Sequence, residues 1–201
     1  MRLIVGISGA SGVIYGVRFL EVAKTLDLET HLVLSPAASV TLSLETTVTT
    51  KYVESLATYA YRFRDIAATL ASGSYPIDAM VVIPCSMKTL GGIAHGYADN
   101  LLIRAAEVTL KERRPLVLVP RETPLSLIHL RNLLTAAEAG AIILPAMPGF
   151  YHRPETMNEL VDHVVGKVFD VLKVNHRLYE RWTGPREARL AEESAEYPTE
   201  G

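Results

Sequence analysis

The chain has 201 residues, 49% apolar and 21% charged, a composition that fits one globular domain and excludes intrinsic disorder. With 20 lysines and arginines against 22 aspartates and glutamates the formal net charge is −2, so the basic excess of a general nucleic-acid or membrane-surface binder is missing. The single cysteine, Cys85, excludes an intrachain disulfide and any four-cysteine or two-cysteine, two-histidine zinc site. No apolar run approaches the roughly 18–20 residues of a membrane span. The opening LIVGISGASGV is interrupted by glycine and serine and preceded only by Arg2, so it reads as strand and turn rather than signal peptide. The expectation is a cytoplasmic protein with no nucleic-acid or membrane partner.

Five short apolar runs punctuate the chain: Leu3–Ile7, His31–Leu34, Ala79–Ile83, Leu116–Val119 and Ala141–Leu144. Each has the length and composition of a strand buried on both faces of a parallel sheet. Helical spacing separates them. Val13, Val17, Leu20, Ala23 and Lys24 form one stripe, and Glu45 ends a mostly apolar helix with Val40, Leu42 and Leu44. The stretch Asp99–Arg113 turns Leu102, Ala105, Ala106, Val108 and Thr109 inward before Pro115 stops it. Further helices are expected at Pro124–Ala139, closed by Gly140, and at Pro154–Leu172. Residues 46–76 are irregular and read as a helix or two plus a loop. The alternation predicts a doubly wound, mostly parallel α/β sheet in three αβα layers, Rossmann-like or flavodoxin-like. It spans residues 1–183, with 184–201 as a charged tail.

In such a sheet ligands bind beyond the carboxyl ends of the strands. Those ends read SGASG from Ser8, SPAA from Ser35, PCSMKT from Pro84, PRETP from Pro120 and PAMPGFY from Pro145. Each carries a hydroxyl, a charge or a tight turn, whereas the strands before them carry almost none. The first is a glycine-rich strand-to-helix turn, equally a structural turn or an anion cradle. It is not a P-loop, since no GKS or GKT follows, and its glycines lack GxGxxG spacing. Ser35 and SMKT add hydroxyls and amides that favour a ligand. Arg121-Glu122 reads either as a surface ion pair or as a charged crevice mouth, Glu45 as solvent-facing or functional, and Tyr151 as core or site. Cys85 reads as a buried, inert thiol. The six histidines form no HExxH pattern and there is no DDxxD pair, so no metal is expected.

GISGASG, IPCSMKTLGGIAHGYADNLLIRAAEV and KERRPLVLVPRETPLSLIHLRNLLTAAEAGAIILPAMPGFYHRP together resemble the flavin prenyltransferases of the UbiX type. The resemblance runs from Met1 to about Trp182 and is strongest over residues 79–154. It implies a flavoprotein that joins a dimethylallyl group to N5 and C6 of reduced FMN without a metal. The same resemblance implies dimethylallyl phosphate as the prenyl donor and a product that serves a partner decarboxylase in ubiquinone synthesis or aromatic-acid decarboxylation. It further implies a homo-oligomer, usually a dodecamer. By resemblance, Gly9, Ala10, Ser11, Ser35, Ser86, Met87, Lys88, Thr89 and Arg121 hold FMN. Arg104, Lys111, Arg121 and Glu122 match a polar cluster around the donor's phosphate, and Tyr151 and Lys167 match phosphate-binding positions. Trp182 matches an aromatic that walls the prenyl pocket from a neighbouring subunit. Ser11, Glu45, Lys111 and Glu122 are the implied catalytic residues. Lys167 stands where some relatives carry arginine, which keeps the charge but loses bidentate geometry.

The same residues bear on two other readings. FMN-dependent cysteine decarboxylases carry PASANT-like and PxMNxxMW-like segments, but here the stretches read PCSMKT and PAMPGFY, without the asparagines or the MW pair. A non-catalytic flavin carrier of a decarboxylase would not need Glu45, Glu122 and Lys111, all of which are present.

Overall fold

The computed structural model describes residues 1–182 and Gly184; apart from Gly184, the expected tail 184–201 lies outside the described residues, as does Thr183. Six strands form the sheet: β1 Arg2–Ile7, β2 Glu29–Leu34, β3 Tyr59–Tyr61, β4 Ala79–Cys85, β5 Leu116–Pro120 and β6 Ile142–Ile143. Seven α-helices are described: α1 Val13–Thr25, α2 Pro36–Glu45, α3 Thr50–Leu56, α4 Met87–Ala94, α5 Leu101–Lys111, α6 Leu127–Glu138 and α7 Met157–Val171. Strand order is β3-β2-β1-β4-β5-β6, and every pairing is parallel. The chain therefore winds outward from β1 in one direction, then crosses back to β4 and winds outward in the other. This is the doubly wound topology expected, and its switch point lies between β1 and β4.

The two-residue period of the strands sorts side chains onto two faces. Leu3, Val5 and Ile7 of β1 pack with Ala79, Val81 and Ile83 of β4 beneath α1, α2, α3 and α7. Ile4, Met80, Val82 and Leu118 pack with α5 on the other face. Phe19 of α1 and Phe169 of α7 stack at 4.6 Å between ring centroids, fixing α7 against α1. Helix starts follow from capping: the side chains of Ser35, Ser86, Asn100, Ser126 and Thr156 each accept a backbone N–H of the helix they open.

Several elements differ from the expectation. β3 and the helix α4 arise from segments where no strand or helix had been assigned. β6 is only Ile142–Ile143, shorter than the run 141–144. Lys24 leaves the α1 stripe and donates to Ser55 O at 3.1 Å, because a lysine tip finds its partner at the helix edge rather than in the core. On α2 only Ala38 and Leu42 are buried, while Val40 and Leu44 are 59% and 80% exposed.

Gly16 sets the distance between α1 and the sheet: a Cβ there would stand 2.4 Å from Ile83 O and 2.8 Å from Ile7 Cδ1. Gly16→Ala is expected to cost about 1–3 kcal/mol by overpacking, read as a lowered guanidinium midpoint. Gly91→Ala, whose Cβ would meet only Asn132 Nδ2 at 3.3 Å, is expected to leave the midpoint unchanged or raise it.

Candidate functional site

All six strands end on the same edge of the sheet, and the loops after β1 and β4 part at the switch point. Ser8, 1% exposed, links them: its hydroxyl donates to Pro84 O at 2.9 Å and accepts the Ser86 N–H at 2.7 Å. Ser86 then caps α4, its Oγ accepting from Thr89 N at 3.3 Å and donating to Thr89 Oγ1 at 3.2 Å. The first-turn N–H groups of Met87 and Lys88 have no intrahelical acceptor, as at any helix start. Lys88 is exposed and Thr89 buried.

Gly9 lies so close to α2 that a Cβ on it would meet Ala37 Cβ at 2.4 Å. Ser35 opens α2, its Oγ accepting from Ala38 N at 3.0 Å. Ala10 is buried and Ser11 exposed at the tip of the turn. Gly12 takes the left-handed conformation, φ +94°, and its N–H donates to Glu45 Oε2 at 2.8 Å. Glu45, at the end of α2, is thereby held beside Ser11.

Arg121 follows β5, its N–H donating to Cys85 O at 3.3 Å. Its charge reaches Tyr15 in the first turn of α1, where burial raises the phenol pKa and Arg121 opposes that rise. Glu122 accepts the Thr123 N–H at 3.0 Å, and the described ion pairs include none between Arg121 and Glu122. Ala146 N donates to Pro120 O at 3.1 Å, so the loop leading to Tyr151 starts beside Arg121. Gly9, Ser11, Ser35, Glu45, Ser86 and Arg121 thus share one rim.

Tyr151 tops a second cluster, on α7. Its hydroxyl lies 3.3 Å from His163 Nε2, and Trp182 meets its ring edge-on at 5.8 Å. The chain after α7 climbs back along that helix, bound by Asp170. The Asp170 carboxylate accepts from His176 Nε2 at 3.1 Å and Arg181 at 2.7 Å, and makes a short bond with the Tyr179 hydroxyl. Lys167 Nζ stands 3.7 Å from it. Gly166 admits this segment, since a Cβ there would strike the Tyr179 ring at 2.6 Å.

Arg104 and Lys111 do not join the other cations within this chain. Both lie on α5, which packs on the face of the sheet opposite α7. Arg104 donates to Ala71 O at 3.3 Å and to Glu107 at 2.8 Å. α5 runs antiparallel to the strands, so Lys111 falls at the amino-terminal edge, paired with Glu112. The expectation that Arg104 and Lys111 surround one phosphate together with Arg121 and Glu122 is therefore not met inside a single copy. Cys85 is wholly buried, and burial pushes its thiol up to about 12, the inert role expected of it.

Sequence reasoning missed Ser8 as the link across the switch, and missed His163 and Asp170 altogether. Ser8 had a visible signal, the first hydroxyl after a buried strand. Asp170 had none, because its partners sit in an aperiodic segment.

The chain matches the family "Flavoprotein" over residues 1–178. It is 54% identical over 186 residues to "Flavin prenyltransferase UbiX" of Escherichia coli strain K12, covering 91% of this chain and 98% of that protein. Two crystal structures share the fold. One is a "dodecameric FMN-dependent Ubix-like Decarboxylase from Escherichia coli O157:H7", with TM-score 0.90 and 50% identity, covering 92% of this chain and 100% of that one. The other is "AnUbiX (PadA1) in complex with FMN and dimethylallyl pyrophosphate", with TM-score 0.91 and 45% identity, covering 92% and 98%.

Burial alone would raise the Asp170 pKa, but the bonds from Tyr179, Arg181 and His176 outweigh it and bring it down to about 2 from 3.8. A depressed carboxylate pKa contributes stability that is present above the unfolded value and lost as pH falls through the folded one. Trp182 is the sole tryptophan, so its fluorescence reports the segment after α7, residues 172–182, which straps back along that helix. The emission is expected to hold at pH 5 and to change between about pH 4 and 2, and Asp170→Asn is expected to show the changed emission already at pH 7. An emission that stays constant through this acid range would contradict the role given to Asp170.

Proposed function

The chain belongs to the UbiX-type flavin prenyltransferases of the flavoprotein family, and we propose that it joins a dimethylallyl group from dimethylallyl phosphate to N5 and C6 of reduced FMN in the crevice at the β1–β4 switch. The observation that carries this reading is the rim itself. It brings together helix starts, hydroxyls and Arg121 on one side of the crevice mouth, with the Glu45 carboxylate wired to the Gly12 N–H at 2.8 Å.

The residues present fit FMN. Gly9 lets the first turn close against Ala37 at the start of α2, which brings that turn beside the Ser35 cap, and the first turn of α4 beside Ser86 offers amides of the kind that receive a phosphate. We assign Gly9, Ala10, Ser11, Ser35, Ser86, Met87, Lys88, Thr89 and Arg121 to that ligand. When bound, the reduced flavin supplies the nucleophilic ring atoms.

The chain's own work is then electrostatic. When the C–O bond of dimethylallyl monophosphate breaks, the phosphate leaves with its electron pair and the allyl group goes to the flavin, so cations must meet the negative charge growing on the phosphate; each charge-assisted hydrogen bond contributes about 1.5–3 kcal/mol. Arg121, Lys167 and the Tyr151 hydroxyl serve this role from within the chain, with Glu122 beside Arg121. A monophosphate demands less neutralisation than a pyrophosphate, which is consistent with a metal-independent reaction. Tyr151 and Trp182 present ring faces to the allylic cation and shield it from water. Glu45 and Ser11, placed together at the tip of the first loop, are positioned to take the proton released on ring closure, as is the departing phosphate.

Arg104 and Lys111 complete the phosphate site only if a neighbouring copy supplies them. α6 supports assembly: Leu127, Ile128, Leu130 and Leu134 are each 49–68% exposed, an apolar stripe suited to a second copy. We read the assembly as a homododecamer and the recipient of the product as a prenylated-FMN-dependent decarboxylase.

Incubation with reduced FMN and either dimethylallyl monophosphate or pyrophosphate is expected to give a flavin heavier by one C5H8 unit in mass spectrometry. Unchanged FMN with both donors would refute the reading. Glu45→Gln is expected to keep FMN binding while slowing product formation by roughly 10²–10⁴-fold, the range for a positioned acid or base. Mixed assemblies of Lys111→Met and Glu45→Gln subunits are expected to regain activity that neither variant has alone. No recovery after verified subunit exchange would place Lys111 outside the site.

A further inference from the structure

The hydroxyl of Tyr151 has a direction, and His163 sets it. His163 lies on α7, 6% exposed, and its Nδ1 accepts the backbone N–H of Gly149 at 3.1 Å. A backbone N–H can only donate, so Nδ1 bears the lone pair, and a neutral imidazole must then carry its proton on Nε2. That nitrogen faces the Tyr151 hydroxyl at 3.3 Å. The Nε2–H donates to the phenol oxygen, and the phenol's own proton is turned away from His163.

The surroundings keep this arrangement. His152 stacks on His163 at 5.1 Å between centroids, 3° from parallel, and its ring nitrogens have no hydrogen-bond partner among the described residues, so it does not compete for either nitrogen of His163. Tyr179 packs on the ring at 4.8 Å, with its hydroxyl committed to Asp170. Burial, then His152 and Lys167, lower the pKa of His163, with Asp170 opposing. A protonated ring would also point a second N–H at Gly149.

From this geometry we infer that His163 is a positioning residue that fixes the Tyr151 hydroxyl as a hydrogen-bond donor, so that this corner of the site selects an anionic oxygen. On the reading above, which the inference rests on, that oxygen belongs to the phosphate of the prenyl donor. His163 does not touch the donor. It acts by occupying the acceptor side of Tyr151 and by anchoring the backbone of the loop at Gly149.

A double-mutant cycle tests this on the FMN-loaded protein, titrated calorimetrically with dimethylallyl monophosphate. Tyr151→Phe is expected to weaken donor binding about tenfold or more, the scale of one hydrogen bond to a charged group. His163→Phe, which keeps a ring but loses both nitrogens, is expected to weaken it several-fold while FMN affinity stays within about twofold. The double variant is expected to bind no more weakly than Tyr151→Phe, because His163 has nothing to act through once the hydroxyl is gone. His163→Gln, whose amide N–H reaches toward Tyr151, is expected to recover most of the loss.

An unchanged affinity in His163→Phe, or losses that multiply in the double variant, would overturn the inference while leaving Tyr151 at the phosphate. An unaffected Tyr151→Phe would remove Tyr151 from the phosphate and the inference with it. Nitrogen NMR of histidine-labelled wild-type protein needs no variant: an Nε2–H tautomer at His163 supports the inference, and an Nδ1–H tautomer overturns it.

Discussion

At the switch point the chain leaves β1 and β4 in opposite directions, and ladder hydrogen bonding must stop where the loops diverge. Backbone groups stranded there need partners. Ser8 supplies them with one side chain, donating to Pro84 O and accepting from Ser86 N, while its own N–H reaches Pro84 O at 3.2 Å. A hydroxyl has one proton and two lone pairs, so it joins both loops without a charge to desolvate. The geometry of the rim descends from that link. It sets the spacing between the glycine turn and the α4 cap, and with it the width of the crevice between two helix starts.

The two-face core then decides which residues gather. Strand periodicity sends α1, α2 and α7 to one side and α4 and α5 to the other. Glu45 ends a helix on the first side and reaches Gly12 across a short gap. Tyr151 and Lys167 share that side through α7. Arg104 and Lys111, carried by α5, fall on the second side with the sheet between. A site that needs all of these cations cannot close within one copy. The exposed apolar stripe of α6 and the exposed Val40 and Leu44 of α2 have the character of surfaces meant to be covered.

The strands were legible because four or five consecutive buried apolar residues leave little else for a chain to form. β3 was not: Tyr59–Tyr61 is three residues long and half open to solvent, so it carries no run to read. α4 hid behind two glycines in MKTLGGIA and starts directly after a strand, with the Ser86 cap as its only local signal. At the site, Glu45 was ambiguous because its meaning depends on Gly12, 33 positions away. The likeness of long motifs assigned roles to Arg104 and Lys111, yet spacing along a chain does not say which copy a residue serves. His163 and Asp170 left no trace, since each works through partners that the sequence does not mark as near.

The rim and the Tyr151 cluster are held by different kinds of bond. The rim beside Ser11 is fixed by a parallel sheet and by hydrogen bonds to main-chain groups buried beneath it. Opening it means breaking the ladder itself, at a cost near that of global unfolding. The Trp182 side rests on a strap whose side-chain bonds converge on Asp170 and whose residues are partly exposed. Apolar packing holds it as well: Val174 and Leu178 pack on the core, the His176 side chain is buried and Tyr179 packs on His163 at 4.8 Å, so loss of the Asp170 charge removes only one of two sources of its hold.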